Sequence, residues 1–144
     1  MNIDTSQMGT DEGATAMESA LKDDFPLKEL TEKVIGAAFE VHNELGAGFL
    51  EKVYETALQI ELGSRGVKAA PQSQIPVSYK GKLVGVYLAD LLIDEVLICE
   101  IKAIKELAPE HEAQLIHYLK ATGIKVGLLL NFGRTRLQFR RFVY

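Results

Sequence analysis

Two different periods of apolar residues run along the chain. From residue 27 to residue 64 apolar positions recur three and four residues apart, and beyond residue 67 they mostly alternate with polar ones. The first region predicts two helices, 27–45 and about 49–64. Gly46-Ala47-Gly48 separates them, because glycine accepts the left-handed conformation that ends a helix.

The second region predicts strands, a hairpin and a third helix. The predicted strands are 67–79, interrupted near Pro76, then 83–93, 96 or 97 to 103, 125–131 and 136–143, with a turn at 80–82 and a helix from Pro109 to Gly123. The segment 97–131 reads strand, helix, strand, which is a crossover unit. The hairpin strands are apolar on both faces, so helices are expected on both sides of the sheet.

Two charged residues interrupt the apolar strand Ile98-Cys99-Glu100-Ile101-Lys102-Ala103. Glu100 and Lys102 lie two residues apart and therefore project from the same face. Burying charged groups is costly, and a buried ion pair often stabilises less than an apolar replacement. A three-residue connection at 94–96 would place Asp90 directly across from Glu100. The sequence thus predicts a cluster of Asp90, Glu100 and Lys102, at a cleft.

Two carboxylates with a lysine suit a site for Mg²⁺ or Mn²⁺. These ions need only one or two carboxylates together with waters and a substrate phosphate, and the main-chain carbonyl of Ile101 is a candidate further ligand. A metal ion there can activate water, and Lys102 can neutralise negative charge or orient that water. The same spacing is equally compatible with a buried ion pair that has no catalytic role.

Composition and charge add a domain count and an acidic N-terminal tail to these predictions. The chain has 144 residues, of which 47% are hydrophobic and 25% charged, so it can bury a core as a single domain. Six of the acids, against one lysine, fall within residues 1–24, which predicts a flexible acidic tail before a domain at 25–144. Without that tail the net charge of −4 becomes +1, which leaves a nucleic-acid partner open.

The remaining signals concern compartment and partners. Cys99 is the only cysteine of the chain, which excludes an internal disulfide framework and fits a reducing cytoplasm. No apolar run is long enough for a membrane span and no secretory signal is visible, so no membrane partner is expected. The last eleven residues contain four arginines and no acid, which is either a phosphate-facing patch or a solvated edge strand: Arg134, Arg136, Arg140 and Arg141. The histidines lack metal-ligand spacing and are expected at the surface or in helix caps, with His42 near the cleft: His42, His111 and His117.

Five motifs follow one another in the order of a known family. They are Gly48-Phe49-Leu50-Glu51-Lys52-Val53-Tyr54, Tyr87-Leu88-Ala89-Asp90, Glu100-Ile101-Lys102-Ala103, His111-Glu112-Ala113-Gln114-Leu115 and Leu130-Asn131-Phe132-Gly133. Over about residues 27–144 the chain resembles the GxxExxY family, a branch of the PD-(D/E)XK nuclease superfamily. In one respect it departs from the family pattern, because Leu88 stands where an arginine commonly precedes the Ala-Asp pair.

The resemblance implies an α/β fold with a restriction-endonuclease-like core, in which helices flank a central mixed β-sheet. It also implies site roles: Asp90 and Glu100 as metal ligands, Lys102 as the catalytic lysine, Glu51 as an acidic metal-site residue on an N-terminal helix, and Gln114, one turn before Tyr118, as the site residue on the helix after the Glu-x-Lys strand. The expected function is that of a Mg²⁺- or Mn²⁺-dependent nuclease acting on DNA or RNA. The alternative is an inactive nuclease-fold module that binds nucleic acid or protein, for example as a homodimer.

Overall fold

The computed structural model describes residues 2–4 and 27–144 of the chain. Their helices and strands, in chain order, are β1 (Asn2–Asp4), α1 (Lys28–Leu45), α2 (Glu51–Ser64), β2 (Ala69–Tyr79), β3 (Lys82–Ile93), β4 (Leu97–Lys102), α3 (Pro109–Thr122), β5 (Val126–Asn131) and β6 (Gln138–Val143). All three predicted helices are present with bounds close to those expected. None of the helices in this part of the chain is long and apolar enough to cross a bilayer.

The strands form one mixed sheet in the order β1-β6-β5-β4-β3-β2. Strands β4 and β5 are parallel, and the other neighbouring pairs are antiparallel. Helix α3 makes the connection between the two parallel strands, which confirms the predicted crossover unit. The ends of β4 and β5 consequently lie side by side, with Lys102 paired to Asn131.

Helices cover both faces of the sheet, as predicted. Helices α1 and α2 pack on one face, where the buried side chains include Cys99 and Ile101. Helix α3 packs on the other face, where they include Ile98 and Leu129. Cys99 is fully buried, so its thiol belongs to the core.

The β2–β3 hairpin changes faces along its length. Tyr87 and Ala89 belong to the core under α3, whereas Leu91, again two residues on, belongs to the core under α1 and α2. Side chains in a regular strand alternate strictly, so the alternation slips by one residue at Asp90. Gln72, between two residues paired with Leu91 and Ala89, has a φ of 48°, in the left-handed region. The hairpin therefore bends where Asp90 and Gln72 face each other.

The prediction for strand β2 needs one correction. The predicted interruption near Pro76 is wrong, because β2 continues through it and its register shifts between Val77 and Ser78 instead. Within the described sheet β2 is an edge strand, where proline is tolerated because half of the backbone donors have no partner strand.

The C-terminal arginines do not form a single patch. Arg140 lies 3.8 Å from Glu112 of α3. Arg141 is buried on the opposite face, where its guanidinium lies 3.4 Å from the Thr31 hydroxyl of α1. Strand β6, which carries Arg140 and Arg141, is not an edge strand, since β1 pairs with it. Of the predicted acidic tail, residues 2–4 form this strand, and the rest lies outside the described residues.

Candidate active site at the bend of the hairpin

Asp90 and Glu100 interlock across the two central strands. The paired register of β3 and β4 runs from Ile93 opposite Leu97 to Leu91 opposite Cys99, so the next pair brings Asp90 to Glu100, as predicted. At that point the backbone N–H groups donate to side-chain carboxylates instead of to the carbonyl groups of the neighbouring strand. The Asp90 N–H donates to Glu100 Oε2 at 3.1 Å, and the Ile101 N–H donates to Asp90 Oδ2 at 2.8 Å. Each carboxylate is thereby fixed by the backbone of the opposite strand.

A pair of tyrosines links Glu100 to helix α3. The Tyr87 hydroxyl donates to Glu100 Oε2, and its ring stacks on Tyr118 with 3.7 Å between the ring centroids. The Tyr118 pKa is raised by burial and then by the charge of Glu100, which places the two side chains near each other. Gln114, one turn earlier on α3, is exposed. Of the two predicted residues on this helix, Tyr118 is therefore the one that the structure brings to the carboxylates.

Glu55 of α2 is an acidic group that the sequence reasoning missed. It is buried, and Gln72 Nε2 donates to both of its carboxylate oxygens at 3.1 Å. Its charge also raises the pKa of Asp90, as expected for a neighbouring like charge. Glu51, the predicted acid, is the exposed first residue of α2. Glu55 lies three residues before the buried Leu58, and this helical spacing could have predicted that its side chain faces the core.

The tyrosine of the Gly-x-x-Glu-x-x-Tyr motif is a structural anchor. The Tyr54 hydroxyl donates to the Gly46 carbonyl at 2.5 Å and accepts from the Phe49 N–H at 3.2 Å. Its ring stacks on Phe132, with 4.7 Å between centroids. The loop before α2 and the end of β5 are thus joined through one side chain, and this fixes the helix that carries Glu55.

The histidines have structural contacts rather than metal-ligand geometry. His42 is buried, stacks against Phe132 and donates from Nε2 to the Arg134 carbonyl at 2.8 Å, so it lies in the core rather than at the surface. His111 accepts the Ala108 N–H at the start of α3, which confirms a cap. His117 is exposed.

The Asn131-Phe132-Gly133 turn holds the end of β4. Asn131 Oδ1 accepts the N–H groups of Ile104 and Gly133, both at 3.0 Å. The Phe132 N–H donates to the Lys102 carbonyl at 2.8 Å. Gly133 approaches the neighbouring loop so closely that an added Cβ would lie 2.3 Å from the Ile104 backbone. The backbone of Lys102 is therefore fixed from the far side of the parallel pair.

The electrostatics of the cluster favour a proton or a cation. Burial, followed by the charge of Asp90, raises the pKa of Glu100 to about 7. The pKa of Asp90 is also raised, mainly by burial. Lys102 acts in the opposite direction on both carboxyl groups, so its ammonium lies near both, but it does not offset the other effects. The site therefore carries more carboxylate than its own positive charge can stabilise.

This donor set fits a divalent cation held by few protein ligands. Among residues 2–4 and 27–144, no three His, Cys, Asp or Glu side chains lie close enough together to hold a metal ion. The predicted set of Asp90, Glu100, Glu51 and the Ile101 carbonyl is thus not assembled as a whole, because Glu51 stays at the surface. Two fixed carboxylates whose ionisation is unfavourable without added positive charge still match the Mg²⁺ pattern of one or two carboxylates completed by waters and phosphate.

The raised pKa of Glu100 predicts a pH-dependent stability of the metal-free protein. The folded state holds this proton up to about pH 7 and the unfolded chain only to about 4.5, so the native state binds more protons between these values. Stability should therefore fall as the pH rises through this window, by up to about 3 kcal/mol from Glu100. Melting temperatures in EDTA from pH 5 to pH 8 measure it, and Glu100→Gln should flatten the curve. The exposed Glu95→Gln is the control, and a slope unchanged by Glu100→Gln would contradict the assignment.

Comparison with known proteins adds one finding. A family model described as the PD-(D/E)XK nuclease superfamily matches residues 28–142, which include the whole candidate site. Comparisons with curated proteins and with solved structures gave no significant match. The mixed sheet of β2–β6 with its three helices agrees with the restriction-endonuclease-like core predicted from the sequence.

Proposed function

Because the chain belongs to the PD-(D/E)XK nuclease superfamily, we propose that it is a Mg²⁺- or Mn²⁺-dependent nuclease that hydrolyses phosphodiester bonds of DNA or RNA. Within the superfamily, the Gly48-x-x-Glu51-x-x-Tyr54 motif supports placement in the GxxExxY branch. The observation that carries the proposal is the pair of carboxylates, Asp90 and Glu100, fixed by backbone donors beside one lysine.

Each residue of the cluster has a role in this proposal. Asp90 and Glu100 would hold the metal ion, and the N–H groups of Ile101 and Asp90 keep the two carboxylates oriented. A bound Mg²⁺ or Mn²⁺ supplies Lewis-acid stabilisation of phosphate oxygens and lowers the pKa of bound water. Lys102 donates to a phosphate oxygen or to the attacking water, so that negative charge developing on the phosphate is partly neutralised. Tyr87 keeps Glu100 in place from the side of α3.

Metal binding and cleavage test the proposal together. At pH 8, above the Glu100 pKa of about 7, Mg²⁺ or Mn²⁺ should raise the melting temperature of the wild type, because the ion binds the folded state only. Asp90→Asn should lose this shift. The same ions should support cleavage of single-stranded, duplex or structured nucleic acid, and EDTA should stop it. No metal-induced shift together with inactivity on all three substrates would favour the inactive binding module instead.

Glu51 and Glu55 compete for the role of the acid on α2. They lie one turn apart on the same helix, and only Glu55 is buried beside the site. We expect Glu55→Gln to lower the cleavage rate by about tenfold or more, since it removes a charge next to Asp90, and Glu51→Gln to change it little. Single-turnover rates at saturating Mn²⁺ compare the two variants. The reverse order of effects would restore the original prediction for Glu51.

A further inference from the structure

A groove lies beside the carboxylate cluster, between the β2–β3 hairpin and helix α3. Its volume is about 610 Å³. Its walls include Val77, Gly85 and Tyr87 of the hairpin and His117, Tyr118 and Ala121 of α3. Both walls are mostly apolar, and Tyr118 contributes an aromatic ring.

The hairpin also exposes apolar side chains at the rim of the groove. Val84 is 63% exposed, Val86 57% and Leu88 49%. They alternate with Tyr87, which faces α3, so their side chains leave the strand on its opposite face. Contiguous exposed apolar side chains mark a binding surface far more often than scattered single ones. The groove therefore has the composition of a contact site.

The charge of the walls identifies the kind of partner. Residues 74–89 and 115–125, which include both walls and the segments next to them, carry no acidic residue although the whole chain has a net charge of −4. Four exposed lysines of these segments flank the groove without lining it: Lys80, Lys82, Lys120 and Lys125. A surface that is both apolar and cationic suits a polyanion with accessible flat faces, which describes single-stranded nucleic acid. A duplex keeps its base faces stacked inside, and a second copy of this chain would bring the flanking lysines of the two copies towards each other.

The groove is continuous with the candidate active site. Tyr87 lines the groove and also donates its hydroxyl hydrogen bond to Glu100. Tyr118 lines the groove as well and stacks on Tyr87. A base held against Tyr118 would consequently lie one side chain away from the carboxylates.

We propose that this groove binds the bases of a single-stranded nucleic acid and leads the strand to Asp90 and Glu100. The inference rests on the proposed nuclease function and specifies its substrate class. The apolar walls and the Tyr118 ring stack against bases, while the lysines contact phosphates.

The test measures binding without cleavage. Fluorescence anisotropy in EDTA compares a labelled oligothymidylate of about 12 nucleotides with a duplex of the same length, since single-strand sites cover about 4–16 nucleotides. The wild type should bind the single strand at least about tenfold more tightly than the duplex. Gly85→Glu and Ala121→Glu, one on each wall, should each weaken single-strand binding about tenfold, and an added Cβ at Gly85 would meet nothing within 4 Å. Ile60→Glu is the control, because Ile60 is 69% exposed on α2, across the sheet from the groove, and it should change the affinity by less than about twofold.

A charge variant gives an independent measurement. Lys82→Glu should weaken binding and reduce the salt dependence by about one phosphate contact, a slope change of about 0.7 for single strands. Lys33→Glu, on the exposed surface of α1, should leave both unchanged.

The outcomes separate this inference from the proposed function. Equal affinity for duplex and single strand, or wall variants that bind like the wild type, would overturn the groove assignment even if the protein cleaves nucleic acid. Failure to cleave while the wall variants lose single-strand binding would overturn the nuclease proposal and leave the groove assignment intact. A wild-type dimer that Gly85→Glu converts to a monomer, with no single-strand binding, would assign the groove to a second copy and overturn the inference.

Discussion

Replacing Lys102 with methionine is expected to lower the rate of phosphodiester hydrolysis by about a hundredfold to a thousandfold while the protein stays folded. Methionine keeps much of the length and the apolar stem, so the loss isolates the ammonium group. That group lies near both carboxylates, since it lowers the pKa of each. Without it, both carboxyl groups should also hold their protons to a higher pH. The measurement is the single-turnover rate at saturating Mn²⁺ across a pH series.

The control for Lys102 lies three residues further along the chain. Lys105 is exposed in the loop after β4, so Lys105→Met removes one positive charge without entering the site, and its rate should stay near that of the wild type. Melting temperatures of both variants separate catalysis from folding. A Lys102→Met protein with an unchanged rate would show that the lysine has no part in turnover.

Replacing Gly133 with alanine is expected to cost about 3 kcal/mol of folding free energy, because the added Cβ overpacks a site that has no room for it. That atom would lie 2.3 Å from both the nitrogen and the oxygen of Ile104, which are backbone atoms and cannot rotate aside. The clash would also strain the contacts of Asn131 with the same loop. Chemical denaturation measures the loss, and the melting temperature should fall by about 10 °C.

A second glycine in the same chain gives the opposite expectation. Gly63 lies in helix α2, and an added Cβ there would meet nothing within 4 Å. Gly63→Ala should therefore stabilise the protein by up to about 1 kcal/mol through helix propensity. If both variants lost the same stability, the close approach at Gly133 would not be the cause.

The central pairing of the site was predictable from the sequence. Strand alternation assigns Glu100 and Lys102 to one face, and a three-residue connection sets the register that brings Asp90 to Glu100. Both inputs are local, since they depend on the period of two and the length of one turn. The parallel crossover followed in the same way from a strand, a helix and a strand in succession.

Other parts of the site depend on tertiary packing that no local pattern encodes. The bend of the hairpin requires a left-handed conformation at Gln72. Such a conformation is usually predicted from a glycine, and this position has none. The choice between Glu51 and Glu55 follows from how α2 rotates against the sheet, and Tyr54 sets that rotation through Phe132. Neighbouring arginines, such as Arg140 and Arg141, look like one patch in the sequence, but they face opposite sides because they share a strand.

The exchange of side-chain for backbone hydrogen bonds between β3 and β4 makes two amide groups spectroscopic reporters. The N–H groups of Asp90 and Ile101 end on carboxylate oxygens, whereas ladder amides end on neutral carbonyls. Their proton and nitrogen chemical shifts should follow the ionisation of Glu100 and Asp90 directly, and hydrogen exchange at the two amides should respond to any cation that the carboxylates take up. Nuclear magnetic resonance can therefore monitor the chemistry of this site from within the sheet, without a substrate.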